Sequence, residues 1–114
     1  MRVSFNGYNN PLKTMWKKNQ LSRVKRGLYG EVLTMANVSL EHLVPVSKGG
    51  SMTLENVALA DRVLNSLRGT KPLKEVLTRK QAFEYIDQFF GDPRPIIQQY
   101  IKGFFETLRK LEVL

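Results

Sequence analysis

The sequence predicts an α+β domain in which two short strands and a helix form the middle third of the chain. Three observations predict it. Residues 31–44, EVLTMANVSLEHLV, are rich in β-formers, and a second short run of the same kind follows at Val57–Leu59. Asp61–Leu67 then reads as a helix, closed by Gly69 at its C-cap with Pro72 beyond. After Thr78 the apolar side chains recur at three- and four-residue steps, the period of a helix face.

In chain order, Asn10-Pro11 looks like an N-cap followed by proline at the first helical position. Leu12, Met15, Trp16, Val24 and Leu28 then fall near one face of a helix expected to run to about Arg26, with Trp16 as a core anchor. Gly27 and Gly30 end that segment. Ala36-Asn37 is a plausible turn, and Val38–Val44 is the expected first strand, carrying Glu41 and His42. Pro45 ends it, and Pro45–Thr53 has loop chemistry. Thr78-Arg79-Lys80-Gln81 has the form of a capping box, opening a helix that Gly91 closes. Asp92-Pro93 is expected to open the last helix, whose apolar face includes Ile97, Tyr100, Ile101, Phe104, Phe105, Leu108 and Leu111.

Length and composition fit one domain over residues 1–114, divided into a basic helical arm (1–30), a central strand-strand-helix unit (31–72) and C-terminal helices (73–114). The 42% hydrophobic content is ordinary for a folded protein. There is no cysteine, which removes disulfides and thiolate zinc sites and fits a reducing cytoplasm. No apolar run approaches a membrane span, and the first ten residues hold no apolar h-region, so a soluble, cytoplasmic chain is expected.

The net charge is +8, and it is unevenly spread. Residues 1–30 hold seven bases (Arg2, Lys13, Lys17, Lys18, Arg23, Lys25, Arg26) and no acid, whereas Pro72–Leu114 holds seven bases against six acids. A basic arm on a nearly neutral body points to a polyanionic partner, with nucleic acid ahead of an anionic membrane surface.

His42 is the only histidine, and the polar residues His42, Asn56 and Asn65 fall on successive elements of the central unit. Glu41 and His42 are adjacent, so on a regular strand their side chains leave opposite faces. A strand that ends or kinks at that point, as Pro45 suggests, brings both to one site. A serine nucleophile is not expected, because no second histidine and no Gly-x-Ser-x-Gly elbow is present.

The order E-H-L-V-P-x-S-x-G-G, L-E-N-V-x-L, N-x-x-R-G-T over about residues 38–72 resembles the HNH endonuclease motif of the ββα-metal (His-Me finger) nucleases. That resemblance implies a metal-dependent hydrolase of DNA phosphodiesters leaving 5′-phosphate and 3′-hydroxyl ends. It implies His42 as the general base, a role that suits an imidazole near neutral pH. It implies Glu41 and Asn65 as metal ligands, and Asn56 as the residue that ties the loop to the strand and orients the histidine. Two oxygen ligands suit Mg²⁺, or Mn²⁺ or another hard divalent cation. Arg68, Lys48 and Lys71 flank the expected cleft, with Lys17, Lys18, Lys25 and Arg26 as further phosphate contacts. Three departures from the usual family pattern are visible. The zinc-binding Cys-x-x-Cys pairs are absent, the last motif position is asparagine (an H-N-N form), and glutamate stands for the commoner aspartate.

The expected partner is DNA, with RNA open, and the expected state a monomer or homodimer, free or as part of a larger DNA-processing complex. The small size suits a phage or mobile-element protein. The contrasting reading is a non-catalytic nucleic-acid-binding or accessory subunit of a DNA-processing assembly.

Overall fold

A computed structural model describes residues 11–51 and 53–114. Its elements are α1 (Pro11–Lys17), β1 (Val38–His42), β2 (Val57–Asp61), α2 (Arg62–Arg68), α3 (Leu73–Val76), α4 (Arg79–Asp87) and α5 (Pro95–Lys110), an α+β architecture. Single 3₁₀ turns at Val46–Lys48 and Leu54–Asn56 flank the loop between the strands. The expected Asn10 cap lies outside the described residues.

The first helix is shorter than its apolar spacing suggests. Asn19 adopts a left-handed conformation (φ 58°), and Gln20 N–H donates back to Met15 O while Asn19 N–H donates to Trp16 O. These two bonds form a Schellman motif, which uses up the last carbonyls and ends the helix at Lys17 rather than near Arg26. Val24 and Leu28 are still buried, so their spacing marked a core-facing segment and not a helix. The indole N–H of Trp16 donates to Val24 O at 2.8 Å. The Gln88 side chain then straps this segment to α4, accepting from the Lys25 and Arg26 amides and donating to Arg26 O, each at 2.9 Å. The described part of the expected arm is therefore fastened to the body at Val24, Lys25 and Arg26, and residues 1–10 lie outside the described residues.

β1 and β2 pair antiparallel, with Val38 opposite Asp61 and His42 opposite Val57. A lone two-stranded hairpin is marginal in water, so its outer edges matter. Leu43 N–H donates to Asn56 O, which sets the alternation and leaves Leu40 and His42 facing away from β2. On that free edge, Leu40 O accepts from Asn65 Nδ2, and His42 O accepts from Arg68 Nη1. The far edge of β2 is occupied in the same way. Leu28 N–H donates to Leu59 O, and Asp61 N–H donates to Glu31 Oε2. Leu59 N–H donates to Tyr85 Oη, Tyr85 bonds Tyr100 at 2.9 Å, and Tyr100 donates to Val57 O at 2.8 Å. Because the Tyr100 proton goes to Val57, Tyr85 is the donor within the tyrosine pair.

Helix ends follow local chemistry. Asp61 caps α2 through Val63 N–H and Leu64 N–H, and Gly69 closes it at φ 58°. Both halves of the Thr78–Gln81 capping box are formed at α4. The last helix opens two residues later than Asp92-Pro93 suggests, with Pro95 at its first turn. Asp92 instead accepts from the backbone and guanidinium of Arg94, fixing the bend before α5. The short α3 carried no clear sequence signal. Tyr85, Phe89, Tyr100 and Phe104 pack as a ring cluster between α4 and α5, with centroids 5.2–6.0 Å apart. Gly103 lets α5 approach the Leu54–Asn56 turn, since a Cβ there would lie 2.7 Å from Glu55 Cβ. Among the described residues, no helix is long and apolar enough to cross a membrane.

Tyr85→Phe leaves Leu59 N–H without its acceptor inside the core. An expected loss of ~1–3 kcal/mol follows from stranding a buried donor. Urea denaturation checks it, and an unchanged midpoint contradicts the proposed role of the edge.

Candidate functional site

The loop after β1 is built on glycine and one asparagine. β1 ends at His42, the chain bends at Leu43 and Val44, and a 3₁₀ turn follows Pro45. Gly49 takes φ 87°, and Gly50 folds back so closely that a Cβ would lie 1.8 Å from Val44 O. Only glycine fits there. Asn56, 4% exposed, accepts from Val44 N–H at 2.9 Å and donates to Val44 O (3.0 Å) and Ser51 O (2.8 Å). One side chain thereby ties both ends of the loop to the entry of β2.

His42 is the last residue of β1 and is half-buried. Burial pushes its imidazole below the ordinary 6.5, so the ring is neutral at pH 7 and can accept a proton. Glu41 points to the other face and is 2% exposed. Its Oε1 pairs with Arg68 Nη1 at 2.5 Å, while Oε2 is buried with no hydrogen-bond partner. Burial pushes this carboxyl up, and Arg68 opposes the shift. Tyr29 lies near enough for the Glu41 charge to help raise its hydroxyl, after burial, yet its Oη also has no partner.

Arg68 takes a different place from the one expected. It is 4% exposed, and beyond Glu41 it donates to His42 O (2.7 Å), Leu43 O (2.8 Å) and Lys71 O (2.9 Å). A guanidinium so fully engaged is an internal brace, not a phosphate contact. Asn65, one turn before it on α2, gives Nδ2 to Leu40 O at 2.9 Å and approaches Ser39 Oγ at 3.4 Å. Ser39 shares a face of β1 with Glu41.

The remaining bases are scattered. Lys48 Nζ donates to Thr70 O at 2.5 Å and bridges the loop to the turn after α2. Lys71 is exposed beside Tyr29, Leu64 and Leu67 in a cleft of about 300 Å³. Lys17 and Lys18 are exposed at the end of α1. Burial lowers the Lys13 ammonium first, with the Lys17 and Arg62 charges adding to it, so bases of α1 and α2 share a neighbourhood. Lys25 and Arg26 lie on the segment strapped to α4, where Arg26 Nη1 donates to Gly30 O. The bases therefore form no single stripe.

The structure thus gathers Glu41, Asn65 and Arg68 along the free edge of β1, with His42, Asn56 and Lys48 at its loop end. Sequence reasoning missed Tyr29 and Glu31. Glu31 accepts from Tyr29 N–H and Asp61 N–H, joining the first segment to β2. Tyr29 falls between Gly27 and Gly30, and Glu31 opens the β-rich run; neither position encodes a partner elsewhere in the fold.

For one hard divalent cation the chain would offer two oxygen donors, with the Glu41 carboxylate already paired to Arg68 through Oε1. Glu41 Oε2 is an unpartnered carboxylate oxygen, and Asn65 offers an amide oxygen from α2. Arg68 fixes the carboxylate and leaves only one of its oxygens to give. Among the described residues, no group of three or more His, Cys, Asp or Glu side chains is placed to hold a metal ion. Comparison with protein-family models, with curated proteins and with solved structures finds no match.

Arg68→Ala strands a buried carboxylate and three main-chain carbonyls, for an expected loss of ~3–5 kcal/mol. The double variant Glu41→Leu/Arg68→Met should recover only part, because the His42 and Leu43 carbonyls stay unpaired. Thermal or urea unfolding decides; a loss below about 1 kcal/mol for Arg68→Ala removes the brace from the account.

Proposed function

We propose that the chain is a metal-dependent endonuclease of the HNH type, hydrolysing DNA phosphodiesters. The observation that carries the reading is a half-buried His42 at the end of β1, on a loop held by Asn56 and Gly50, with the buried Glu41 carboxylate one residue before it on the opposite face of the strand. In this reading His42 takes a proton from the attacking water. Asn56 holds the loop and with it the direction of the imidazole. Glu41 Oε2 and Asn65 would hold the cation, and phosphate and water would complete its shell. When bound, Mg²⁺ or Mn²⁺ supplies charge stabilisation at the phosphate and the departing 3′ oxygen. Lys48, Lys71, Lys17 and Lys18 remain exposed for backbone phosphates. The products are 5′-phosphate and 3′-hydroxyl ends.

One observation favours a second reading. The Glu41 carboxylate already holds a cation, the Arg68 guanidinium. A protein whose ligand is neutralised internally could serve as a non-catalytic nucleic-acid-binding or accessory subunit of a DNA-processing assembly.

Supercoiled plasmid incubated with the protein and Mg²⁺ should appear first as nicked circles, with EDTA abolishing the reaction. His42→Ala should lower the rate at least a hundredfold, within the ~10²–10⁴ contribution of a general base. Intact plasmid across Mg²⁺, Mn²⁺ and Ni²⁺ selects the accessory reading.

The pH profile gives a separate check. A base works deprotonated, and burial lowers the His42 value, so kcat/KM should rise with pH through a midpoint below 6.5 and be flat by neutrality. A midpoint above 7 contradicts His42 as the base.

A further inference from the structure

The outer face of α4 and α5 carries a second cluster that the proposed nuclease site does not use. Arg79, Phe83, Phe105, Arg109 and Leu114 line a cleft of about 390 Å³. Phe83 is 45% exposed and Phe90, beside it, 43%, large values for rings of this size. Phe105 joins them, with ring centroids 5.8 Å from Phe83 and 6.3 Å from Phe90, the latter pair stacked at 24°. From beneath, Phe105 meets the buried Phe104 edge-on at 6.2 Å, so the floor is anchored in the core.

The cations at its rim distinguish this face from an ordinary apolar patch. Arg26, Arg68 and Arg94 all spend their guanidiniums on carbonyls or carboxylates. The side chains of Arg79 and Arg109 are exposed and make no hydrogen bond or ion pair with any described residue. No carboxylate side chain lines the cleft. An occupant must therefore offer flat apolar faces together with negative charge. A second copy of the chain fits badly, because a two-fold contact would bring four guanidiniums onto a desolvated patch that no acidic side chain lines. A single nucleic-acid strand offers both features, bases for the rings and phosphates for the arginines.

We propose that this face docks an unpaired DNA strand, with bases stacked on Phe83, Phe90 and Phe105 and phosphates paired to Arg79 and Arg109. The choice of DNA rests on the nuclease reading above. The face shares no residue with the His42 site, so it holds a strand without cutting it. An endonuclease built this way favours DNA with a locally opened or displaced strand.

Fluorescence anisotropy with a labelled oligothymidylate, a duplex of the same length and the matching RNA tests the proposal on the full chain. Phe83→Leu and Phe90→Leu keep apolar volume but remove the stacking face, and each should weaken single-strand binding about tenfold while duplex binding changes by less than about twofold. Arg79→Gln/Arg109→Gln should lower the salt slope of single-strand binding by roughly 1.4, two phosphates at ~0.7 each. Melting curves establish that the variants fold. Single-strand affinity unchanged in both Phe variants overturns the proposal, as do equal losses on duplex and single strand. Tighter binding of the RNA overturns the choice of DNA. A dimer in sedimentation that Phe83→Glu dissolves assigns the face to a second copy instead. His42→Ala separates the two readings: cleavage lost with single-strand binding intact supports both. A wild type that never cuts removes the nuclease reading, and the Phe variants still decide this surface.

Discussion

A sheet of only two strands has two open edges, and the rest of this structure is organised around covering them. Backbone groups left unpaired beside a core cost about as much as a lost hydrogen bond each, so a bare hairpin would not persist. Here the cover comes from four other parts of the chain. α2 gives Asn65 and Arg68 to the β1 edge. The Leu28–Glu31 segment, α4 and α5 supply the groups at β2. The burial of β2 follows directly, since Val57–Ala60 are each 0% exposed. With no cysteine in the sequence, no thiolate zinc site or disulfide holds the hairpin, and the paired tyrosines of α4 and α5 are its staple.

The same constraint sets the electrostatics of the candidate site. Arg68 cannot both brace three main-chain carbonyls and reach a surface phosphate, and its buried geometry commits it to the first. Glu41 is then the counterion that makes a buried guanidinium tolerable, which leaves a carboxylate with one oxygen occupied and one orphaned. An orphaned oxygen of this kind is unusual in a settled interior. Two groups could answer it: the neighbouring Tyr29 hydroxyl, which helps hold the Glu41 carboxyl down against burial, or, in the proposed reading, a bound cation.

Much of this was legible in the sequence wherever local chemistry decides local structure. The Thr78–Gln81 box, the Asp61–Gly69 limits of α2, the turn at Ala36-Asn37 and the two strands all follow from side chains bonding their own neighbourhood. Asn56 and the Gly49-Gly50 pair stood out by position, and the structure gives them a mechanical reason. The misses share one cause. The Schellman turn at Asn19, the Gln88 strap, the late start of α5 and the burial of Arg68 are each set by a partner elsewhere in the fold or by a backbone angle that apolar spacing does not encode. Periodicity reported correctly that Val24 and Leu28 face the core, but not through which backbone.

Charge is the property for which this distinction matters most. Counting bases in residues 1–30 suggests one basic arm, yet the fold divides those bases. Lys17 and Lys18 end α1, while Lys25 and Arg26 are carried on the segment that Gln88 fastens to α4. A polyanion longer than one site therefore meets positive charge in several directions instead of along one groove. Sequence-independent attraction scales with the phosphates neutralised at once, so a divided set of bases gives each surface a modest, salt-sensitive hold. Discrimination must then come from groups that do more than attract. In the proposed reading those would be the aromatic floor between Arg79 and Arg109 and the polar edge of β1.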